Sequence, residues 1–198
     1  MKKLFITLVL ALMAFTSVSA QDFLVGVKGG FSGNWIPKTN INPDDKVLPN
    51  AGFYGGLTGT LDLSSQSFLQ AEVLYARKGI STRGETFGNT YWRKLHYVQV
   101  PLLLGFKLMD DNFRFMVGPE FGYCLGSKVY DSAVTVSPAS ASGYKKFNFA
   151  VALQTSYIFW EGLGVDFKVD YAFSKTFEAN DAGRNLCLQI GLCYIFGY

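Results

Sequence analysis

The chain has 198 residues, a length that suits one domain, and its 18 basic and 15 acidic residues give a formal net charge of +3. This small charge does not indicate a nucleic-acid partner. Aromatic residues make up 16% of the chain and there are 21 glycines, a bias that favours short aromatic-rich strands over helices.

The N-terminus has the three parts of a secretory signal peptide. Two lysines follow the first methionine, residues 4–15 are an apolar core, and positions 18–20 supply small residues for cleavage. The apolar run is shorter than the roughly 20 residues of a transmembrane helix. We therefore predict that residues 1–20 are removed and that 21–198 is the mature domain, with 16 basic and 15 acidic residues.

Eight later segments alternate apolar and polar residues with period two, the pattern of a β-strand whose two faces meet different surroundings. In the last segment, apolar side chains occupy every second position from Leu186 to Tyr198, opposite small or polar residues such as Gln189 and Gly191. No segment has the period of a long amphipathic helix. The predicted strands are 22–33, 51–63, 68–80, 95–108, 113–125, 146–158, 163–174 and 186–198.

The predicted links between these strands alternate in length. The short links lie near 64–67, 109–112 and 159–162. The long links lie near 34–50, 81–92, 126–145 and 175–184. Short turns at one end and long loops at the other are typical of outer-membrane barrels. We predict an all-β fold, a single eight-stranded antiparallel up-and-down transmembrane β-barrel with both termini on the periplasmic side.

Each predicted strand carries charged groups on one face and bulky apolar groups on the other. A soluble lipocalin-like barrel would place the apolar face inside, around an apolar ligand, whereas a membrane barrel places the charges inside. The signal peptide, the alternating loop lengths and the aromatic residues near strand ends favour the membrane barrel. The predicted charged residues of its lumen are Lys28, Glu72, Lys107, Arg114, Glu120, Asp166, Lys168 and Asp170.

The lumen of an eight-stranded barrel is just wide enough for side chains to fill it. The predicted set contains four basic and four acidic groups, which can satisfy one another at low local dielectric. We therefore expect a packed polar core. An unpaired set would instead leave a wet lumen and a small passive porin, which stays open as the alternative.

Residue types suited to catalysis are few. The one histidine, His96, has the strand parity of Val98, which predicts an outward position near the outer interface. Cys124, Cys187 and Cys193 follow no metal spacing, and the last two are too far apart on one strand to form a disulfide. We expect small inward side chains at all three positions, and we predict no enzyme activity, cofactor or metal.

On this topology the outer loops and rims carry twelve basic and six acidic residues, with Lys78 counted among the basic ones. The phosphates of lipopolysaccharide attract cations. We hypothesise that four of these residues contact lipopolysaccharide, with ordinary solvation as the alternative: Arg77, Arg83, Arg93 and Lys94. The loops at 34–50 and 126–145 are expected to contact a surface ligand or an envelope protein.

Three strand motifs resemble the outer membrane protein β-barrel family, which includes PorT-like proteins, is abundant in Bacteroidetes and has small OmpA/OmpX-like barrels. Residues 97–105 (YVQVPLLLG) resemble its YLEIPLLLKY-type strand, although Gln99 stands where many members have glutamate. Residues 115–123 (FMVGPEFGY) resemble its fxxGpxxgy strand, and residues 23–30 (FLVGVKGG) its first strand. The resemblance implies an outer-membrane barrel with structural motifs and no active site.

The expected function is therefore that of a non-enzymatic outer-membrane barrel with a structural or surface-interaction role. Two alternatives remain at this point. One is a small passive porin, and the other is a soluble lipocalin-like carrier of an apolar ligand.

Overall fold

The computed structural model describes residues 23–35, 46–48, 50–83, 90–109, 111–131, 139–140, 145–175 and 184–198. The predicted signal peptide, residues 1–20, lies outside these ranges. Within them, no helix is long and apolar enough to cross a membrane.

The described residues form eight long strands of 13 to 19 residues and two short ones. The strands are β1 (Phe23–Trp35), β2 (Lys46–Leu48), β3 (Asn50–Asp62), β4 (Ser67–Arg83), β5 (Thr90–Leu108), β6 (Phe113–Asp131), β7 (Ala139–Ser140), β8 (Phe147–Trp160), β9 (Leu163–Lys175) and β10 (Arg184–Phe196).

The long strands close into a barrel in the order β4-β3-β1-β10-β9-β8-β6-β5, and β5 pairs back with β4. All of these pairings are antiparallel, including the seam between the first and last strands, where Val25 lies opposite Phe196. The predicted eight-stranded antiparallel barrel is confirmed. Because the sheet is closed, backbone groups within the bilayer can pair without leaving a free edge.

The short turns and both described chain ends lie at one end of the barrel. Phe23 pairs with Leu61, just before the turn that joins β3 to β4. The other short turns contain residues with positive φ, including Glu161 at 38° and Gly162 at 89°. This is the end that the sequence-based prediction assigns to the periplasm.

Three strands extend further outward than the alternation predicted. β4, β5 and β6 continue into the links predicted at 81–92 and 126–145, and β4 pairs with β5 as far as Arg83 and Thr90. The short β2, which lies inside the predicted loop 34–50, pairs with the outer end of β4. Beyond the bilayer both faces of a sheet can meet water, so its backbone pairing continues while period-two hydrophobicity fades from the sequence.

The two faces of the wall are opposite in polarity. Outward side chains are apolar and exposed, for example Phe31 at 75% and Ile190 at 62% relative exposure, whereas buried inward positions carry many polar and charged groups. This inside-out distribution is the one expected of a barrel in lipid. A soluble lipocalin-like carrier requires the reverse distribution, so that alternative is excluded.

Candidate functional site

The structure places seven of the eight predicted lumen residues in the barrel interior, each at most 5% exposed. The seven are Lys28, Glu72, Arg114, Glu120, Asp166, Lys168 and Asp170. The eighth, Lys107, lies at the periplasmic rim on the same inward face, opposite Arg114 in the register; its side chain is 7% exposed and its Nζ is 2.7 Å from Asp62 Oδ2. Lys107 therefore belongs to a rim ion pair, separate from the central charges.

The part of the lumen nearer the periplasm, the lower network, is organised around Lys28 and Glu72. The Lys28 ammonium lies 3.1 Å from Glu72 Oε1 and 3.0 Å from Asp166 Oδ1. The side-chain amides of Gln70 and Gln154 donate to the same Glu72 oxygen, at 2.7 Å and 3.0 Å. One carboxylate thus joins strands β1, β4 and β8, which ties the wall together across the lumen.

The part of the lumen nearer the outer end of the barrel, the upper network, is organised around Glu120. It accepts a hydrogen bond from Lys168 at 2.6 Å and another from the Gln99 amide, and its Oε1 lies 3.6 Å from Lys78 Nζ. Lys78 also donates to Asp170 at 2.9 Å. Glu120 is therefore shared by two ammonium groups from different strands.

Lys78 corrects the sequence-based charge count. It was assigned to the outer rim, but its side chain is 2% exposed and ion-paired inside the lumen. The assignment is wrong because position 78 falls within the predicted strand 68–80 with the inward parity of Glu72, and β4 continues beyond it to Arg83. Among the described residues, the buried charges are four cations and four carboxylates.

Arg114 differs from the other lumen cations. Its three guanidinium nitrogens are buried and have no hydrogen-bond partner among the described residues. Its guanidinium carbon instead lies 5.3 Å from the Phe68 ring centroid and 5.0 Å from that of Tyr198. Two aromatic faces therefore stabilise this cation, in place of the carboxylate partner that the charge pattern of the sequence predicts.

Tyr198 also departs from the outward position that the alternation of the last segment predicts. β10 ends at Phe196, and Gly197 has a φ of 72°, a left-handed conformation that takes the chain out of the strand alternation. The Tyr198 ring consequently reaches Arg114, and its hydroxyl donates to the Asp111 carbonyl at 2.8 Å. The last residue of the chain thus packs against the periplasmic end of the lumen.

A row of four register positions explains how Tyr54 joins the lower network. Tyr54 lies opposite Gly30, Gly30 opposite Gly191, and Gly191 opposite Asp166. Because the two glycines have no side chains, the Tyr54 hydroxyl passes over them and donates to Asp166 Oδ1 at 3.2 Å. A Cβ atom at Gly191 would lie 2.6 Å from that hydroxyl oxygen.

Replacing Tyr54 by phenylalanine is expected to lower the free energy of unfolding by about 1–2 kcal/mol, because a hydrogen bond to a buried carboxylate is lost while the ring remains. Chemical unfolding of the purified barrel in detergent measures the change. The matched control is Tyr157→Phe on the lipid-facing wall, where little change is expected. Equal effects of the two substitutions would contradict a role for the Tyr54 hydroxyl.

Of the four residues predicted to contact lipopolysaccharide, the structure describes two side chains. Arg77 and Lys94 are partly exposed near the outer end of the wall. The side chains of Arg83 and Arg93 lie outside the described part, although their backbone positions pair with Thr90 and Ile80. The loop residues of 34–50 and 126–145 are described only where they belong to strands or, at 145, adjoin β8.

The described residues offer no arrangement typical of catalysis. His96 has the outward position that its parity predicted, and its Nδ1 is hydrogen-bonded to the Tyr75 hydroxyl at 2.5 Å. Cys124, Cys187 and Cys193 are free and buried. Within the described ranges, no group of three histidine, cysteine, aspartate or glutamate side chains could hold a metal ion.

Comparison with known proteins agrees with this architecture. The family profile described as outer membrane protein beta-barrel domain matches residues 19–178. No curated protein matches the chain. The barrel is similar to Ail, the attachment invasion locus protein of Yersinia pestis, with 15% identity and a TM-score of 0.53, over 88% of this chain and 99% of that one.

Two other solved barrels are similar over most of their length. OprG from Pseudomonas aeruginosa has 14% identity and a TM-score of 0.50, over 89% of this chain and 97% of that one. Neisserial surface protein A has 12% identity and a TM-score of 0.53, over 87% of this chain and 96% of that one. At these identities the likeness shows a shared fold.

Proposed function

The chain belongs to the outer membrane protein beta-barrel domain family, and on that premise we propose that it is a non-conducting, non-enzymatic barrel with a structural or surface-interaction role. Its location is the cell outer membrane. The observation that carries the proposal is the lumen, which holds two networks of ion pairs and amides, one around Glu72 and one around Glu120. Such a core favours a scaffold over a channel.

We further propose signal-peptide cleavage, a PorT-like subtype and contacts made by the long loops. Export would follow cleavage after the signal peptide at residues 1–20. The motifs at 97–105 and 115–123 support the PorT-like subtype. The mature barrel would then present its long loops at the cell surface, where 34–50 and 126–145 would contact a surface ligand or an envelope protein.

The partners we propose are outer-membrane lipid, lipopolysaccharide and an anionic surface ligand. The basic positions Arg77, Arg83, Arg93 and Lys94 lie at the outer end of β4 and β5, where negative phosphates of the outer leaflet would be attracted. Ail, which shares the fold, was solved in complex with the heparin analogue sucrose octasulfate. A polyanion is therefore a reasonable first ligand to test on the loops.

Conductance in planar bilayers tests the proposed function. The purified barrel is expected to insert without stepwise ionic current, because buried ion pairs occupy the lumen. Insertion is verified separately by the different migration of unboiled and boiled protein in SDS gels, since folded barrels resist the detergent. Stepwise currents from protein that shows this heat-dependent shift would contradict the proposal and support the small passive porin.

A further inference from the structure

The outward wall of β3, β4 and β5 carries a cluster that is separate from the lumen. We propose that Arg77 is the centre of a binding site for one phosphate group of a phosphorylated glycolipid in the outer leaflet, with Lys94 as the second cation. This inference rests on the proposed outer-membrane function and deepens its lipopolysaccharide contact by naming the bound group and the residues that hold it.

Arg77 stands at the outer boundary of the apolar wall. On the same face of β4, Leu69, Val73 and Tyr75 are exposed apolar side chains on the periplasmic side of it. Arg77 follows Leu69 by eight residues, which at about 3.3 Å per residue and a tilt of about 40° corresponds to about 20 Å along the barrel axis. The apolar band of such barrels is about 25 Å tall, so a rise of about 20 Å brings the guanidinium close to the outer edge of that band.

Aromatic groups hold the Arg77 side chain on this face. Its guanidinium carbon lies 4.8 Å from the centroid of the Phe53 ring on β3. On the other side, His96 of β5 is directly opposite Arg77 in the register. Tyr75 connects the two, with ring centroids 6.0 Å from both Phe53 and His96. A guanidinium positioned in this way loses little conformational freedom when it binds an oxyanion.

Lys94 supplies a second positive charge beside Arg77. It lies opposite Gly79 on β4, which puts it diagonal to Arg77 at a typical separation of about 7–8 Å. The two cations therefore come from neighbouring strands, β4 and β5, on the same outward face.

The charges of this wall are unbalanced. Among the described residues, the outward positions of β3, β4 and β5 include no aspartate or glutamate, and Arg77 has no carboxylate partner. This contrasts with the lumen, where the described cations and carboxylates are equal in number. A phosphate fits such a site because arginine can bind two of its oxygens at once.

The apolar surface on the periplasmic side of the two cations favours a lipid as the source of that phosphate. Leu57 and Val73, which are 59% and 56% exposed, continue the wall toward the periplasm. Acyl chains can pack along these residues while a phosphate on the sugar headgroup meets Arg77 and Lys94. A free anion would use only the upper part of this surface.

Native mass spectrometry of the detergent-solubilised barrel, purified from outer membranes and stripped of lipid, tests the site. The probes are lipid A with its phosphates, enzymatically dephosphorylated lipid A and inorganic phosphate. The wild-type protein is expected to bind phosphorylated lipid A at least about tenfold more tightly than the dephosphorylated form. Arg77→Gln is expected to remove most of this difference, and Arg77→Lys to retain part of it.

Arg184→Gln is the matched control, because Arg184 is an exposed arginine at the outer end of β10, three strands around the wall from β4. It is expected to bind lipid A as the wild type does. Equal losses in Arg77→Gln and Arg184→Gln would show general surface attraction and overturn the site. Binding of inorganic phosphate as tight as that of lipid A would overturn the lipid as its source.

These outcomes are distinguishable from a failure of the proposed function. A heat-modifiable, non-conducting barrel without any preference for phosphorylated lipid A would overturn the Arg77 site alone. A conducting barrel that needs Arg77 to bind lipid A would overturn the scaffold proposal and leave the lipid site standing.

Discussion

Replacing Glu120 by glutamine is expected to destabilise the barrel by about 3–5 kcal/mol, because it leaves a buried ammonium group without its counter-charge. Lys168 is 0% exposed and its only ion pair among the described residues is the 2.6 Å contact with Glu120. Glutamine preserves the volume of the side chain, so lost charge pairing accounts for the effect. The change in stability is measured by chemical unfolding in detergent, with the loss of the fast-migrating unboiled band in SDS gels as the readout.

Two further variants test whether the loss of stability is specific to the buried Glu120–Lys168 pair or follows from removing any carboxylate. Asp62→Asn removes the partner of Lys107 at the periplasmic rim, where the Asp62 side chain is 26% exposed, and it is expected to change stability by less than about 1 kcal/mol. The double variant Glu120→Gln with Lys168→Met removes both charges of the pair and is expected to recover much of the loss. A double variant as unstable as Glu120→Gln alone would contradict the explanation by an unpaired charge.

The alternation that predicted the barrel has a direct physical origin. Lipid contacts one face of each strand and a polar lumen the other, so two different environments select the side chains at successive positions. For the segment predicted at 163–174, the structure gives β9 as Leu163–Lys175, with buried Asp166, Lys168 and Asp170 between exposed apolar residues. Where both environments are present, the sequence pattern therefore predicts the strand and its orientation.

The partners within the lumen could not be predicted in the same way. Lys28 contacts Glu72, which is 44 residues away in the chain, because β1 and β4 lie on either side of β3 and the curved wall turns their inward side chains toward each other. Alternation indicates that both residues point inward, but their relative height depends on the register of each strand pair. The pairing of Lys78 with Asp170 depends on the same information.

The aromatic environment of Arg114 could not be predicted from the sequence for a different reason. A period-two pattern assigns Tyr198 to the outward face, but the left-handed turn at Gly197 ends the pattern one residue earlier. Such a turn is local backbone conformation, and a glycine near a strand end signals only that it is possible. The sequence likewise does not distinguish glycines that permit close packing from other glycines, because the difference depends on the neighbouring strands.

Replacing Gly30 by alanine is expected to destabilise the barrel by an amount at the upper end of about 1–3 kcal/mol, because the added methyl group meets backbone atoms that cannot rotate away. A Cβ atom there would lie 2.1 Å from the Ile190 carbonyl oxygen and 2.4 Å from the Gly191 Cα. These atoms belong to β10, so the seam between the first and last strands must widen. The path by which Tyr54 reaches Asp166 crosses the same position.

The same strand provides a matched control in Gly33, where an added Cβ atom would have no neighbour within 4 Å. Gly33→Ala is expected to leave the barrel unchanged or stabilise it by about 0.5–1 kcal/mol, since alanine is less flexible than glycine in the unfolded chain. Both variants add one methyl group to β1, so a difference in their unfolding midpoints isolates the space at the seam. If Gly30→Ala were as stable as Gly33→Ala, the seam between β1 and β10 would have room for a side chain at Gly30, which would contradict this prediction.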